Sequence, residues 1–414
     1  MAGTPSTDRR SLMARILIPT YLGDIHATIV AAALRAKGHV PVLWHGTDFP
    51  TRQSAAVHFS QEGVRWRIEG SDLDFSSNDP FDVVWYRRPT IAPVLPEDIH
   101  PGDRAISRRE CLAFTFGLWE LVAPDAFWVN PRQSLRRANA KLAQLDQALA
   151  VGLNVPLTLC TNDPEEIRRF LQQNEREVIY KAFNPAQWTD GDRIGMVFTS
   201  EVELDDLPDD DILRLTPGIF QRRIPKAYEL RLTYMGDFLV AAKLLSQESE
   251  VSKLDWRVAF AKLRIEPTAV PSELDRRCRE LLRRLGILFG CLDLIVTPEG
   301  EHVFMEVNQM GQFLWLEQMN PEIRILEPFC EFLVQKRANF CWNASAGDLL
   351  FADFYDEAVR RQEEVDTVLH IARPMEMEHS VLEAVPEGKA PHGSTATVAP
   401  VPSRSTSGGA ELAS

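Results

Sequence analysis

The sequence predicts a mixed α/β and α+β fold, with a parallel-sheet unit first and two α+β units after it. Three observations predict this. An apolar run at Arg15-Ile-Leu-Ile-Pro, a helix pattern over 24–37 that stops at Gly38, and a second apolar run over 40–44 form a β-α-β opening. Later apolar runs are joined by short turns instead of helices, at Met235-Gly236-Asp237 and Glu299-Gly300, the signature of antiparallel pairing. A chain of 414 residues with a 45% apolar fraction can also support two or three compact units.

A polar leader, 1–13, is expected to be disordered, and the N-terminal unit spans 14–132. In it, a strand over 81–86 ends at Arg87-Arg88-Pro89, a helix runs from about 103 to 122, and a strand over 127–130 closes the unit. The loop after Ile18 lacks the Gly-x-Gly-x-x-Gly cradle, so the unit resembles a Rossmann half without its phosphate fingerprint. The second unit, 133–216, opens with a helix over 135–151 capped by Ser134 and stopped at Gly152, with Lys141 inside it. A strand over 157–160 follows, then a helix to about 173 with Asp163 as cap and Pro164 at its first position. Next come a strand ending on Lys181, a polar loop over 184–195, a strand over 196–199 and an acidic segment over 205–211. The third unit, 217–340, begins with strands over 219–224, 229–234 and 238–243. A helix over 275–285 ends at Gly286 and leads into the strands around Glu299-Gly300. Helices over 328–336 and 346–370 follow, the latter in an extension assigned to 341–372. From Arg373 on, Pro, Ser, Gly and Thr rise and aromatic residues vanish, which predicts a disordered tail over 373–414.

The late hairpin carries the chemistry. A two-residue turn centred on Glu299-Gly300 would set Asp293 opposite Glu306, and the period of two puts Asn308 on the same face. Ile295 and Phe304 would be neighbours there, with Leu292, Leu294, Val303 and Val307 on the other face. A hairpin with one wet face would be polar at every second position; here both faces read as buried, and a carboxylate among apolar strands needs a partner. Three hard oxygen donors without His or Cys suit Mg²⁺, which keeps some waters and shares its remaining positions with phosphate. The cations are ambiguous singly: Lys141 reads as a solvated helix residue, Lys181 as a strand end, Arg231 and Lys243 as the wet face of a sheet.

A net charge of −14 with no long basic stripe speaks against a nucleic-acid binder. The six cysteines are scattered without a Cys-x-x-Cys, which fits a reducing cytoplasm. Neither a signal-peptide core nor a membrane-length apolar run is present, so a soluble cytoplasmic protein without a membrane partner is expected.

The ordered set Lys141, Lys181, Arg231, Lys243, Arg257, Asp293, Glu306 and Asn308 resembles that of the ATP-grasp ligases. More narrowly, several motifs are similar to the microviridin-type branch, the graspetide peptide maturases. These are Val-Trp-Tyr-Arg-Arg-Pro (84–89), Ala-Asn-Ala-Lys (138–141), Ala-Ala-Lys-Leu-Leu-Ser-Gln (241–247), Asp-Trp-Arg (255–257) and Glu-Val-Asn-Gln-Met-Gly-Gln-Phe-Leu-Trp-Leu-Glu (306–317). The resemblance covers about 15–336.

The resemblance implies an ATP-grasp fold, with an N-terminal Rossmann-like pre-ATP-grasp domain and two α+β units clamping the nucleotide. It implies ATP and Mg²⁺ as cofactors, Lys141 and Lys181 on the phosphates, and the base near Gln221, Arg222, Arg223 and Ile224. Asp293, Glu306 and Asn308 match the Mg²⁺ ligands, while Arg231, Lys243 and Arg257 face the transferred phosphate or the acceptor. Two features depart from the family pattern: Arg222 stands where many relatives carry a Glu, and the 184–195 loop has only Gly191 and Gly195. The implied reaction activates Asp or Glu side chains of a ribosomal precursor peptide as acylphosphates and closes ω-ester or ω-amide rings with Ser, Thr or Lys. The implied partner is that precursor, through its leader and core, and the family admits a homodimer. Two other readings are open at this point: a ligase that adds an amino acid or small amine to a protein or metabolite, and a nucleotide-gated peptide-binding protein without chemistry.

Overall fold

The computed structural model describes residues 13–89, 93–174, 177–183, 187–190, 193–196, 199–249, 253–342 and 349–372. Apart from Met13, the expected leader lies outside the described residues, as does the expected tail.

The chain opens with β1 (Arg15–Thr20), α1 (Ile25–Ala36) and β2 (Val40–His45), where Asp24 caps α1 by accepting the Ala27 N–H. There follow β3 (Ser54–Ser60), β4 (Gly63–Glu69), β5 (Asp74–Ser76), β6 (Val83–Trp85), α2 (Pro101–Leu118) and β7 (Phe127–Val129). A parallel sheet has the order β2-β1-β6-β7, and its central strands are buried on both faces, the reason β1 reads as a continuous apolar run. The antiparallel sheet β3-β4-β5 was not expected: most of its residues are exposed, and only an inner face with Trp66, Ile68 and Phe75 packs onto Leu17 and Trp44.

The helix expected over 135–151 is two helices, α3 (Arg132–Asn139) and α4 (Lys141–Ala150), broken where Ala140 is extended at ψ 108°. Pro131, not Ser134, occupies the N-cap of α3, and Lys141 starts α4 instead of lying inside a helix. The next elements are β8 (Thr158–Thr161), α5 (Pro164–Gln173), β9 (Val178–Lys181), β10 (Gln187–Asp190), β11 (Arg193–Met196), β12 (Ser200–Glu201), α6 (Asp210–Leu215) and β13 (Gly218–Arg222). Asp163 caps α5 as expected. Much of the expected loop over 184–195 is the antiparallel hairpin β10–β11; of the strand placed over 196–199, Met196 ends β11 and 197–198 lie outside the described residues. β13 pairs with β8 and β9 in a sheet ordered β12-β9-β13-β8, so the strand expected to open the third unit belongs to the second.

The last units hold β14 (Tyr228–Met235), β15 (Phe238–Leu244), β16 (Ile265–Pro267), α7 (Ser272–Leu285), β17 (Phe289–Val296), β18 (His302–Asn308), α8 (Trp315–Met319), α9 (Leu326–Gln335) and α10 (Phe351–Arg361). Gly286, at φ +75°, ends α7 in the left-handed conformation that glycine adopts freely. The five-stranded sheet β16-β15-β14-β17-β18 buries one face, with Leu232, Leu292, Leu294 and Phe304, under α7 and the α3–α4 pair. Part of its other face joins the N-terminal sheet in a shared core that includes Ile18, Trp85, Phe289, Phe313 and Phe329. The second unit's sheet has its own small core of Ile167, Phe170, Val178 and Phe220. Two antiparallel sheets thus approach one another at Lys181 and Glu306, one sharing a core with the N-terminal unit and one with a core of its own.

Candidate functional site

The expected pairing of Asp293 with Glu306 is present but arises differently. Val296 pairs with His302 across a loop longer than two residues, and the register then shifts by one between Leu294–Phe304 and Asp293–Glu306. The extra residue, Met305, forms a bulge that restores the Asp293–Glu306 pair. It also moves Phe304 to the face of Leu292 and Leu294, correcting its expected place beside the carboxylates.

Asp293, Glu306 and Asn308 share one face with Arg231, which lies opposite Asp293 on β14. Arg231, only 4% exposed, donates to both Asp293 carboxylate oxygens at 2.7 Å and to the Gln312 carbonyl at 2.8 Å. Asn308 Nδ2 donates to Asp293 Oδ2 at 3.1 Å, and Lys141 Nζ donates to Glu306 Oε2 at 2.8 Å. Burial and the charge of Glu306 push the Asp293 carboxyl up against the pull of Arg231, the burial being the largest influence. Burial also opposes the charge of Glu306, yet Lys141, Lys181 and Arg257 together pull it down to about 2. Five expected residues thus meet in two bonded groups side by side, Arg231–Asp293–Asn308 and Lys141–Glu306.

Lys181 comes from the facing sheet. It pairs with Ile219, which places it with Gln221 on the face of β9 and β13 turned away from that sheet's own core. Burial pushes the Lys181 ammonium down to about 8; Glu306 opposes this, while Lys141, Lys226 and Arg257 add to it. Arg257 is held by its neighbour Asp255, donating from Nε at 2.8 Å and Nη2 at 2.6 Å, and its charge reaches Glu306 and Asp293. Gln221 is buried, donates to Thr158 Oγ1 at 3.0 Å, and has an Oε1 with no partner.

Three of the expected residues turn their side chains away from this group. Lys243 pairs with Leu230, so alternation puts it on the opposite face from Arg231, with its ammonium 4.3 Å from the centre of the Tyr228 ring. Arg222 alternates onto the other face from Gln221 and lies in an exposed ion pair with Glu177 at 3.7 Å. Arg223 is exposed too, bound to Glu201 at 2.6 Å. Ile224 follows β13 and is partly buried.

A family model of the MvdD pre-ATP-grasp domain matches residues 15–136. Among curated proteins no match was found. Among solved structures, a RiPP-associated ATP-grasp ligase of Chryseobacterium gregarium, in complex with ADP and a leader and core peptide, is 30% identical with a TM-score of 0.71; the match covers 78% of this chain and 98% of that one. The chain belongs to the RiPP-associated ATP-grasp ligases. This ligase is also similar to two macrocyclases of Microcystis aeruginosa MRC. MdnC, bound with precursor peptide MdnA, is 29% identical with a TM-score of 0.68, over 78% of this chain and 99% of that one. MdnB is 28% identical with a TM-score of 0.66, over 78% and 99%. The expected ATP-grasp architecture and enzyme class therefore hold.

Sequence reasoning assigned no role to the residues that hold the ligase's Asn308–Gln312 segment. Arg87, wholly buried, lies 3.1 Å from Asp24, and donates to the carbonyls of Met310, at 2.6 Å, and Gly311 and to Gln312 Oε1 at 3.0 Å. Asn130 donates to the Gln309 carbonyl at 2.7 Å and accepts the N–H groups of Leu288 and Phe289. Gln144, one turn after Lys141, bonds both the N–H and the C=O of Val307, covering the edge of β18. A charged Arg directly after the apolar Val-Val-Trp-Tyr run was the one signal available in the sequence.

The donor set fits Mg²⁺. Among the described residues no group of three or more His, Cys, Asp or Glu is placed to hold a metal. The candidate site instead offers two paired carboxylates and an amide, hard oxygen donors in a cleft lined with cations for phosphate. The unpartnered Gln221 Oε1, at the strand end where the base is expected, is an acceptor suited to an exocyclic amine.

Proposed function

We propose that the ligase couples ATP cleavage to ring closure in a ribosomally made precursor peptide. A side-chain Asp or Glu carboxylate oxygen of the peptide attacks the terminal phosphorus of ATP, ADP leaves, and an acylphosphate forms. A Ser or Thr hydroxyl, or a Lys amine, then attacks the acyl carbon, loses its proton, and expels phosphate to give an ω-ester or ω-amide. Bound Mg²⁺ would neutralise phosphate charge during the first attack. Asp293, Glu306 and Asn308 would hold it. Lys141 and Lys181, from opposite sides of the cleft, would reach the phosphates, and Arg257 would offset the negative charge that builds between two anions. Arg231 would keep Asp293 oriented. Gln221 would receive the base, and holding carboxylate and acceptor together would supply much of the rate gain.

The observation that carries this reading is the convergence of Asp293, Glu306 and Asn308 with Lys141 and Arg231, across from Lys181. The relatives solved with leader and core, or with a precursor, support a peptide partner of the same class. Co-expression with a candidate precursor peptide, followed by intact-mass measurement, tests it. One water lost per ring is expected from the native chain and none from Glu306→Ala; an adduct of added mass, or water loss that persists in the variant, would refute it.

A further inference from the structure

We infer that Arg87 and Asn130, both from the N-terminal unit, are positioning residues for the metal-ligand segment that starts at Asn308. The three backbone carbonyls after Asn308 are all held from that unit: Gln309 by Asn130, Met310 and Gly311 by Arg87. Arg87 also holds the Gln312 side chain, and the Gln312 carbonyl is taken by Arg231, which grips Asp293. A continuous chain of polar contacts thus runs from Asp24, which accepts from Arg87, through Gln312 and Arg231 to Asp293. Arg87 is 0% exposed, so its guanidinium can serve only buried acceptors, and its fork fixes several of them at once as a lysine could not. Gly311 holds φ +58°, and a Cβ there would lie 2.6 Å from the Phe289 ring, so the segment needs glycine at this point. The N-terminal unit therefore sets the aim of Asn308, although it supplies no ligand itself.

This inference rests on the metal assignment proposed above, and the experiment separates the two. Mn²⁺ binding to the full chain in the presence of ADP is followed by electron paramagnetic resonance, with ADP binding in EDTA and thermal melting measured alongside. Glu306→Gln tests the assignment and should lose the Mn²⁺ site. Arg87→Lys should weaken Mn²⁺ at least about tenfold, as loss of groups that orient metal ligands does, with metal-free ADP affinity unchanged. Gln312→Ala, which removes one acceptor of Arg87 from a partly exposed side chain, should weaken Mn²⁺ in the same direction and carries the test if Arg87→Lys does not fold. Retention of wild-type Mn²⁺ binding by Glu306→Gln would overturn the ligand assignment. Loss there, with wild-type binding in Gln312→Ala and in any folded Arg87→Lys protein, would overturn the positioning role alone.

Discussion

Arg231 and Asp293 form a nearly buried ion pair, in which the guanidinium opposes the burial that pushes the Asp293 carboxyl up. Asp293→Ala should lower unfolding stability by about 3–5 kcal/mol, because it strands a buried guanidinium, and urea denaturation would measure this. Lys181 bears on pH. Its ammonium is pushed down to about 8, so the charge that would meet phosphate is lost as pH rises through that value. ADP should therefore bind more weakly at pH 9 than at pH 7 by calorimetry, and Lys181→Met should flatten the difference. The stability term has the opposite sign. Above about 8 the unfolded chain, with lysine near 10.4, holds more protons than the folded one, so this residue's contribution to stability rises with pH.

At the scale of elements, the loop after β18 and the extension around α10 set the site's frame. Gly311→Ala should cost roughly 2–4 kcal/mol, from the left-handed backbone and from contact with Phe289, in thermal or chemical unfolding. Glu317, buried in α8, accepts the N–H groups of Ile325, Leu326 and Phe351 and so ties the extension to α8. At its far end, His370 is buried, bound to Asp48 at 2.6 Å, 3.5 Å from Asp72, and stacked on His45 at 3.6 Å. Burial disfavours its charge, but Asp48 and Asp72 hold it up to about 9. A base raised in the folded state stabilises fully below its unfolded value, near 6.5, and loses that contribution as pH climbs through about 9. Melting temperature should fall more between pH 7 and 10 in the native chain than in His370→Gln.

Across the whole molecule, core sharing divides the units unevenly. The N-terminal sheet, the C-terminal unit and Phe351 and Phe354 of the extension lie in one core, while the second sheet keeps its own. An excised 14–132 fragment would expose Trp85, Val129 and the α1 face to water, and we expect it to lack cooperative thermal unfolding. Among the described residues no helix is long and apolar enough to cross a membrane.

Local pattern was enough for much of this protein. Apolar runs, the Asp163 cap and Gly286 marked elements because each is decided within a few residues, and Asp293, Glu306 and Asn308 were legible because strand alternation is a local rule. The sequence could not show the bulge at Met305, which corrects for a longer turn, nor that β13 would leave its neighbours to pair with β8 and β9. Lys243 and Arg231 looked alike until pairing assigned them to opposite faces. Arg87 and Asn130 gain their roles from partners 223 and 179 residues away, Met310 and Gln309, and hydrogen bonds at that separation exist only once the sheets have met. Sequence alone determined which groups could bind metal and phosphate; tertiary structure decided which of them share a cleft, because that depends on register and face, and both are settled by long-range packing.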